Sequence, residues 1–501
     1  MKTTTIKSNA GKKSRFKIMG WLFTAVGATG MLCTTVQAER VSYSFIKLAT
    51  LEETAPRGGY HINDFEPGAI NNSGDVGFGT DLGTSTDPAT FFGEGVFLRK
   101  VGQKSELELA RAGGNAPGGG VFDFLLLGQV SLNNEHDAAF AFTLSPFGSP
   151  VGVNSGLYRY SHSARKVTPA VIPRVTPAPA GGTFAGVFFG TSLNDLGQLI
   201  FPGIVATDKG IHLPDEPYIG LGMGVFKADN QNQITSVVSP GDRAPKGGSF
   251  DSAGSGGMWV NRSGDVAFTA HVAGEEVTST GSPPQKDLIN ALGSLYLKNA
   301  LTGTITSIAH ARDPAPGGGH FRQLISPVMN DLGEIAFLGD LSKSPQANQV
   351  AGVYRFSEGK ITRVAGPGDS MPGGGNLVTA SILGSQQIHI NNESEIVFNA
   401  VLSTDVNNDG IKDTGLFVWS NGSLRLVART STVIPGVGTV AQLVMGVIVI
   451  PTPPVLIPNS GAINNDLGQV LFGAKLSDGR GVLLVATPTE NEASGEMTHS
   501  H

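Results

Sequence analysis

Only one cysteine, Cys33, occurs in the 501 residues, and it lies near the N-terminus. Past that point there is no disulfide frame, thiol nucleophile or cysteine-bound metal to consider. Charged residues are sparse at 15% and tryptophan sparser still, at three. No stretch beyond residue 40 carries apolar residues at helical spacing, which excludes a helical bundle or coiled coil. G-x-S-x-G, H-E-x-x-H and phosphate-loop motifs are also missing there. Glycine, by contrast, is abundant, at 69 residues, against a usual share of about 7%.

The first 38 residues read as a targeting segment. Lys2 to Lys17 holds six basic residues and no acid, and the apolar "IMGWLFTAVGATGMLCTTV" follows. Val36 and Ala38 are the small residues of a cleavage site, so a secretory signal cut after Ala38 is expected. A retained membrane anchor is the alternative. Removal of the segment leaves 29 basic against 41 acidic residues, a formal charge of −12. That balance and the lack of a lysine–arginine cluster argue against nucleic acid or anionic lipid as partner.

One phrase recurs seven times in the remainder. It has the form N-x-x-G-x-x-A-F and begins at Asn71, Asn133, Asn194, Asn261, Asn330, Asn391 and Asn465. The intervals are 62, 61, 67, 69, 61 and 74 residues, the mark of an array or a propeller. A second phrase keeps the same beat: "APRGGY" at Pro56, "APGGGVF" at Pro117, "APAGGTF" at Pro179, "APKGGSF" at Pro245, "APGGGHF" at Pro316, "MPGGG" at Pro372 and "IPGVG" at Pro435.

Residues 321–375 show one unit. "FRQLISPVMN" reads as a strand and "NDLG" as a turn, with Asn first and Gly fourth. "EIAFLGDL" returns, "GVYRF" and "ITRVA" are the third and fourth strands, and "GPGDSMPGGG" crosses to the next unit. The reading is therefore all-β: a seven-bladed β-propeller of four-stranded antiparallel blades. The last unit lacks a fourth strand, and Arg40 to Ala49 is expected to close it beside Gly481 to Ala486. An open β-solenoid is the rival. The domains are then 1–38 signal peptide, 39–487 propeller and 488–501 polar, disordered tail.

Over residues 40–487 the chain resembles a bacterial family of exported proteins with tandem N-x-x-G-x-x-A-F-type repeats, of the choice-of-anchor type. That resemblance implies export and a C-terminal surface anchor, but no activity. The tail "TPTENEASGEMTHSH" has no apolar span and no sorting motif. Free secretion or periplasmic residence, without a membrane span after signal cleavage, is expected instead.

Two sets of residues could carry chemistry. In "DVNNDGIKD" the residues Asp405, Asn407, Asp409, Ile411 and Asp413 are spaced as in calcium loops, with Gly410 for the sharp turn. The expected ion is a structural Ca2+; a plain polar loop is the alternative. The second set comes from counting ten residues back from each of the first six motif asparagines: His61, Asp123, Phe184, Asp251, His320 and Ser381. On a propeller these approach one mouth of the channel. His61, Asp123, Asp251 and His320 could bind a metal or polarise a substrate, or be merely solvated. The motif residues themselves read as structural, the Asn and Gly forming a turn and the Ala and Phe packing between blades.

The expected function is a monomeric exported propeller that binds a protein, a cell-envelope component or a polysaccharide, with no nucleic-acid partner. The alternative is an extracellular polysaccharide lyase or hydrolase with its site at the channel mouth, and a matrix role is a third reading.

Overall fold

Five of the seven repeats build their core on the same stacked aromatic pair; in the sixth, Phe398 and Phe417 are tilted at 33°, and in the seventh Phe472 faces Leu484. In the five, the motif phenylalanine lies opposite an aromatic residue of the next strand, and the two rings stack. Phe78–Phe97, Phe140–Tyr158, Phe201–Phe226, Phe268–Tyr296 and Phe337–Tyr354 lie 5.6–5.9 Å apart with interplanar angles of 22–29°. A third ring meets the second edge-on. Phe122, Phe184, Phe250 and Phe321 do so at 4.9–5.0 Å, a favoured geometry for aromatic pairs. All these rings are buried.

The computed structural model describes residues 42–145, 154–188, 190–207, 211–212, 220–273, 293–341, 350–380, 388–443, 447–451, 454–458 and 462–489. The chain divides into two units, Met1–Glu39 and Arg40–His501. The expected signal segment, its cut after Ala38 and the tail beyond Thr489 lie outside the described residues.

The architecture is all-β and propeller-like, but the strand pairing corrects the expected blade plan. Five discrete sheets form, three of four strands, one of five and one of six. A ten-stranded sheet and a two-stranded hairpin complete the set. Seven equal four-stranded blades are therefore not what the hydrogen bonds build. Two causes are visible. A parallel bridge between Met223 and Ser252 fuses two groups of strands into the ten-stranded sheet. Elsewhere the first strand of a repeat is broken into two pieces, as in Leu377–Ala380 and Ile388–Ile390, which both pair with Ile396–Leu402. The N-terminal strand Ser42–Thr50 pairs antiparallel with Gly481–Thr489. It joins the six-stranded sheet, so it does not complete a four-stranded blade. The apolar segment Val447–Pro458 forms the hairpin, Val447–Pro451 against Pro454–Pro458.

The motif asparagines hold the arrangement together. Asn71 Oδ1 accepts from the backbone N of Ser73 at 3.1 Å and of Asp75 at 2.8 Å, forming an Asx turn. The fourth residue, Gly74, takes φ 76°, a conformation glycine tolerates without strain. In two repeats His136 and Ser394 hold that place, at φ 66° and 61°. The Nδ2 atoms point onward: Asn71 donates to Asn133 O, Asn133 to Asn194 O and Asn194 to Asn261 O. Asn330 then donates to Asn391 O, Asn391 to Asn465 O, and Asn465 back to Asn71 O. Between Asn261 and Asn330 the neighbouring residues are joined, Arg262 N to Asp331 Oδ1 at 2.7 Å. The turns thus follow one another round a closed ring.

Inside the ring, Trp259 meets His389 edge-on at 5.1 Å, and His389 Nδ1 lies 2.8 Å from Asn464 Oδ1. Burial lowers the His389 pKa below its ordinary value. Among the described residues no helix is long and apolar enough to cross a membrane.

Candidate functional site

The strongest electrostatic anomaly lies in the first sheet, which comprises Tyr60–Ile70, Asp75–Gly83, Phe91–Lys100 and Glu106–Arg111. Its first strand bulges between Ile62 and Phe65, with Asn63 at φ 58°. A bulge re-aims side chains at a sheet edge. Here it takes Asn63 and Asp64 out of the ladder. Thr80 Oγ1 fixes the bulge by donating to Asp64 O at 2.8 Å, and Asn63 Nδ2 donates to Asp81 Oδ2 at 2.6 Å. Asp81 and Glu94 sit opposite each other on neighbouring strands. Glu94 Oε2 reaches into the second sheet and accepts from Leu125 N at 2.6 Å.

These groups perturb one another. Burial, then the negative charges of Glu66 and Asp81, hold the Asp64 pKa well above the usual carboxylate range. Glu94 is raised well above it too, by burial and by Glu66, Asp81 and Asp64, against the pull of the Leu125 N–H. Burial also raises Asp81. The charges acting on Asp64 and Glu94 are all negative. Protons relieve such a set, because like carboxylates in a partly buried site cannot all ionise cheaply.

A consequence for stability follows. The protonated forms of Asp64 and Glu94 are favoured in the folded chain. Their contribution is complete below the unfolded carboxylate pKa and is lost as pH rises through the folded one. These two groups therefore act to lower the melting temperature as pH rises above the ordinary carboxylate range. Glu94→Gln should leave it unchanged at pH 4, raise it at pH 8 and flatten the slope, as a pH series of thermal melts would show.

Exposed aromatic residues lie close to the carboxylates along the strands. Phe91 and Phe92 are 42% and 41% exposed, and Phe124 is 49% exposed. Phe91 and Phe92 immediately precede Gly93 and Glu94. A Cβ on Gly93 would sit 3.9 Å from Asp123 O and overlap Ala112. The two sheets therefore approach closely here, with Phe124 between Asp123 and the Leu125 amide that holds Glu94.

The candidates from the ten-residue count fall into different surroundings. His61 is fully buried, 5.0 Å edge-on to Phe97. It takes the place that Phe122, Phe184, Phe250 and Phe321 hold in later repeats. Its Nε2 lies 3.1 Å from Glu106 Oε2, and Glu106 also binds Arg99 at 2.8 Å. Burial opposes ionisation of Glu106, but His61 and Arg99 together hold its pKa below the ordinary value. Asp123 is exposed beside Gly93. Asp251 Oδ1 lies 2.7 Å from His271 Nδ1, and His320 is exposed next to Phe321. Phe184 is core, and Ser381 lies outside the described residues.

Counting forward ten from the asparagine would have been more informative. It gives Asp81, Thr143, His271 and Asp340 in four of the seven repeats, and Ile204, Val401 and Lys475 in the others. The first four bond the start of their own repeats: Asp81 to Asn63, Thr143 to the Phe124 amide, His271 to Asp251 and Asp340 to Arg322.

The Asp405–Asp413 loop is capped from within. Asp405 accepts from Asp409 N at 3.2 Å and Gly410 N at 3.0 Å, and Asp409 accepts from Ile411 N at 2.8 Å. Asn407 Nδ2 donates to Asp409 Oδ2 at 2.8 Å. Asp413 is fully buried and bound to Arg429 at 3.0 Å. Asp405, Asn407 and Asp409 keep oxygen donors on the exposed loop, whereas Asp413 is engaged by a cation of the chain itself. Among the described residues no group of three or more His, Cys, Asp or Glu is placed to hold a metal ion.

Comparison with known proteins gives a family and a kind of fold. A family model described as "Family of unknown function (DUF7453)" matches residues 42–489. No curated protein matches the chain. Among solved structures, the β-propeller domain of the trilobed protease from Pyrococcus furiosus is similar at 9% identity and TM-score 0.45, covering 86% of this chain and 99% of that one. A GH74 xyloglucanase from Xanthomonas campestris is similar at 10% identity and TM-score 0.42, covering 86% of this chain and 52% of that one. An ulvan lyase of polysaccharide lyase family PL25 gives 10% and 0.42, with 86% and 96% covered. Likeness at this level says nothing about activity.

Proposed function

The chain belongs to this family of unknown function, and we propose that it is an exported, propeller-like protein that binds a neutral carbohydrate polymer at the junction of its first two sheets. The observation that carries the reading is the pairing of exposed Phe91, Phe92 and Phe124 with the carboxyl groups of Asp64, Asp81, Glu94 and Asp123. Aromatic faces pack against the apolar faces of sugar rings, and carboxyl groups exchange hydrogen bonds with hydroxyls. The negative charges of Glu66 and Asp81 beside them disfavour an acidic polymer. Export rests on the basic and apolar N-terminal segment and on the resemblance to exported repeat proteins, and puts the binding site in the periplasm or outside the cell.

Affinity electrophoresis in gels cast with neutral glycans tests this reading. Phe124→Ala should abolish retardation, or weaken it by about tenfold, roughly 1.4 kcal/mol, while the melting temperature stays within a degree. Retardation unchanged in Phe124→Ala and Phe92→Ala alike would sink the reading.

A second reading has one observation in its favour. A carboxyl group whose pKa is raised well above the usual carboxylate range by burial and by neighbouring carboxylates, as that of Glu94 is, suits a general acid in cleavage of a glycosidic bond. Product analysis on the retained glycan separates the two. Shortened chains that vanish with Glu94→Gln would make the site catalytic.

A further inference from the structure

A cavity of about 360 Å³ lies between strand Glu106–Arg111 of the first sheet and residues 160–167 of the second. Its volume lies in the range of small-molecule sites, about 300–1,000 Å³. The charge of its walls opposes that of the chain. Arg57, Arg111, Arg165 and Lys166 line it, with Glu108 as the one carboxylate. Glu108 has a fully buried side chain, 1% exposed, and is already taken by Arg111 through bonds of 2.8 and 2.6 Å. Arg111 Nη2 also donates to Gly58 O at 3.1 Å, which fixes the guanidinium in place. Arg57 lies 3.6 Å from the same carboxylate, with 68% of its side chain exposed. Arg165 and Lys166 enter from the facing sheet, Arg165 on an exposed turn at φ 49°. Four cations thus line the cavity, Arg111 and Lys166 from strands of two sheets and Arg57 and Arg165 from turns, and its one carboxylate among the described residues is already paired.

From this geometry we propose that the cavity binds a tetrahedral oxyanion, a sulfate or phosphate group carried either free in solution or as an ester on a polymer. Guanidinium groups suit such anions because their planar N–H pairs match two oxygens at once. A held Arg111, with Arg165 and Lys166 opposite, would grip the anion from both sides. The site is separate from the carboxylate and aromatic junction and has the opposite charge, so it selects a different ligand.

The test is titration calorimetry of residues 39–501 with inorganic phosphate, inorganic sulfate and dextran sulfate, with neutral dextran as the blank. Saturable binding of an anion that weakens at least about tenfold in Arg165→Glu/Lys166→Glu supports the proposal. Binding of the inorganic ions identifies a free anion as the natural source, and binding of dextran sulfate alone identifies an ester on a polymer. Both variant residues are exposed, so melting temperature should not move. The pair Arg243→Glu/Lys246→Glu, exposed and far along the chain, makes the same charge change. An equal loss there would show a bulk-charge effect and overturn the site. So would no saturable binding of any of the three probes, or binding unchanged in Arg165→Glu/Lys166→Glu.

Discussion

Asp413→Ala should destabilise the protein by about 3–5 kcal/mol, with or without calcium. The carboxylate is fully buried and receives Arg429 Nη2 at 3.0 Å and Val406 N at 3.1 Å. Arg429 is itself 9% exposed. Its guanidinium binds Gly374 O at 3.0 Å, Thr404 Oγ1 at 3.1 Å and Gly373 O. One arginine thus ties the crossing at Gly373–Gly374, the loop before Asp413 and its own strand, Ser423–Arg429. Loss of Asp413 leaves that charge buried with neutral acceptors only. Removing both charges in Asp413→Leu/Arg429→Met should cost less than Asp413→Ala alone, since no buried charge is then unpaired. Denaturant melts of the two variants check the ordering. The same melts with calcium and with chelator address the loop as a metal site. If the ion binds, calcium raises the midpoint of the native chain and not that of Asp405→Ala. A midpoint indifferent to calcium would mean the internal caps of Asp405 and Asp409 are all that the loop requires.

The same loop illustrates what one sequence can and cannot convey. The alternation of Asp405, Asn407 and Asp409 was legible, as was a tight turn at Gly410. The partner of Asp413 was not, because Arg429 is 16 residues away on another strand. The propeller-like all-β arrangement was legible from the repeated turn and the proline–glycine crossing. The division into sheets was not. Sheet membership depends on hydrogen bonds between repeats, such as Met223 with Ser252, and no motif encodes them. The ten-residue count failed for a related reason. The edge-on aromatic stands eleven residues before the motif asparagine as Phe122 and Phe250, ten as Phe184 and nine as Phe321. A slip of one residue turns a side chain to the opposite face of a strand. The count therefore mixes core positions such as His61 and Phe184 with exposed ones such as Asp123. The carboxylates of the first sheet had no pattern of their own, since Asp64 is exposed to Glu66 and Asp81 only after the bulge at Ile62–Phe65 forms.

Asn465→Asp should be among the most damaging single-atom changes in the ring of turns, at about 3 kcal/mol. The asparagine Oδ1 accepts from Leu467 N at 3.1 Å and Gln469 N at 3.0 Å. Its Nδ2 donates to Gln469 Oε1 and to Asn71 O, both at 2.9 Å. Aspartate keeps the first pair and loses the second. It also places a carboxylate oxygen against the Asn71 carbonyl at a position only 4% exposed, where burial penalises charge. The same substitution at Asn194 breaks an equivalent bond, to Asn261 O at 2.9 Å. The two positions differ in what else joins the partners. Asn194 and Asn261 are 67 residues apart, whereas Asn465 and Asn71 are separated by 394 and meet where the ends of the ring come together. The polar links at that seam include the strand pairing of Ser42–Thr50 with Gly481–Thr489, the bond from Asp466 N to Asn72 Oδ1 at 2.9 Å and its reciprocal from Asn72 Nδ2 at 2.8 Å, beside the apolar packing of Phe65, Ile70 and Phe78 with Ile463, Leu471 and Val485. Loss of a link at the seam lowers the cost of opening the ring, and loss elsewhere loosens one turn. Hydrogen exchange distinguishes these outcomes. Asn465→Asp should speed exchange at residues 71–75 and 465–469 and along Ser42–Thr50 together. Asn194→Asp should speed it only near residues 194–198 and 261–265. If both variants exchange only locally, the asparagine ring is a row of independent turns and contributes nothing to closure.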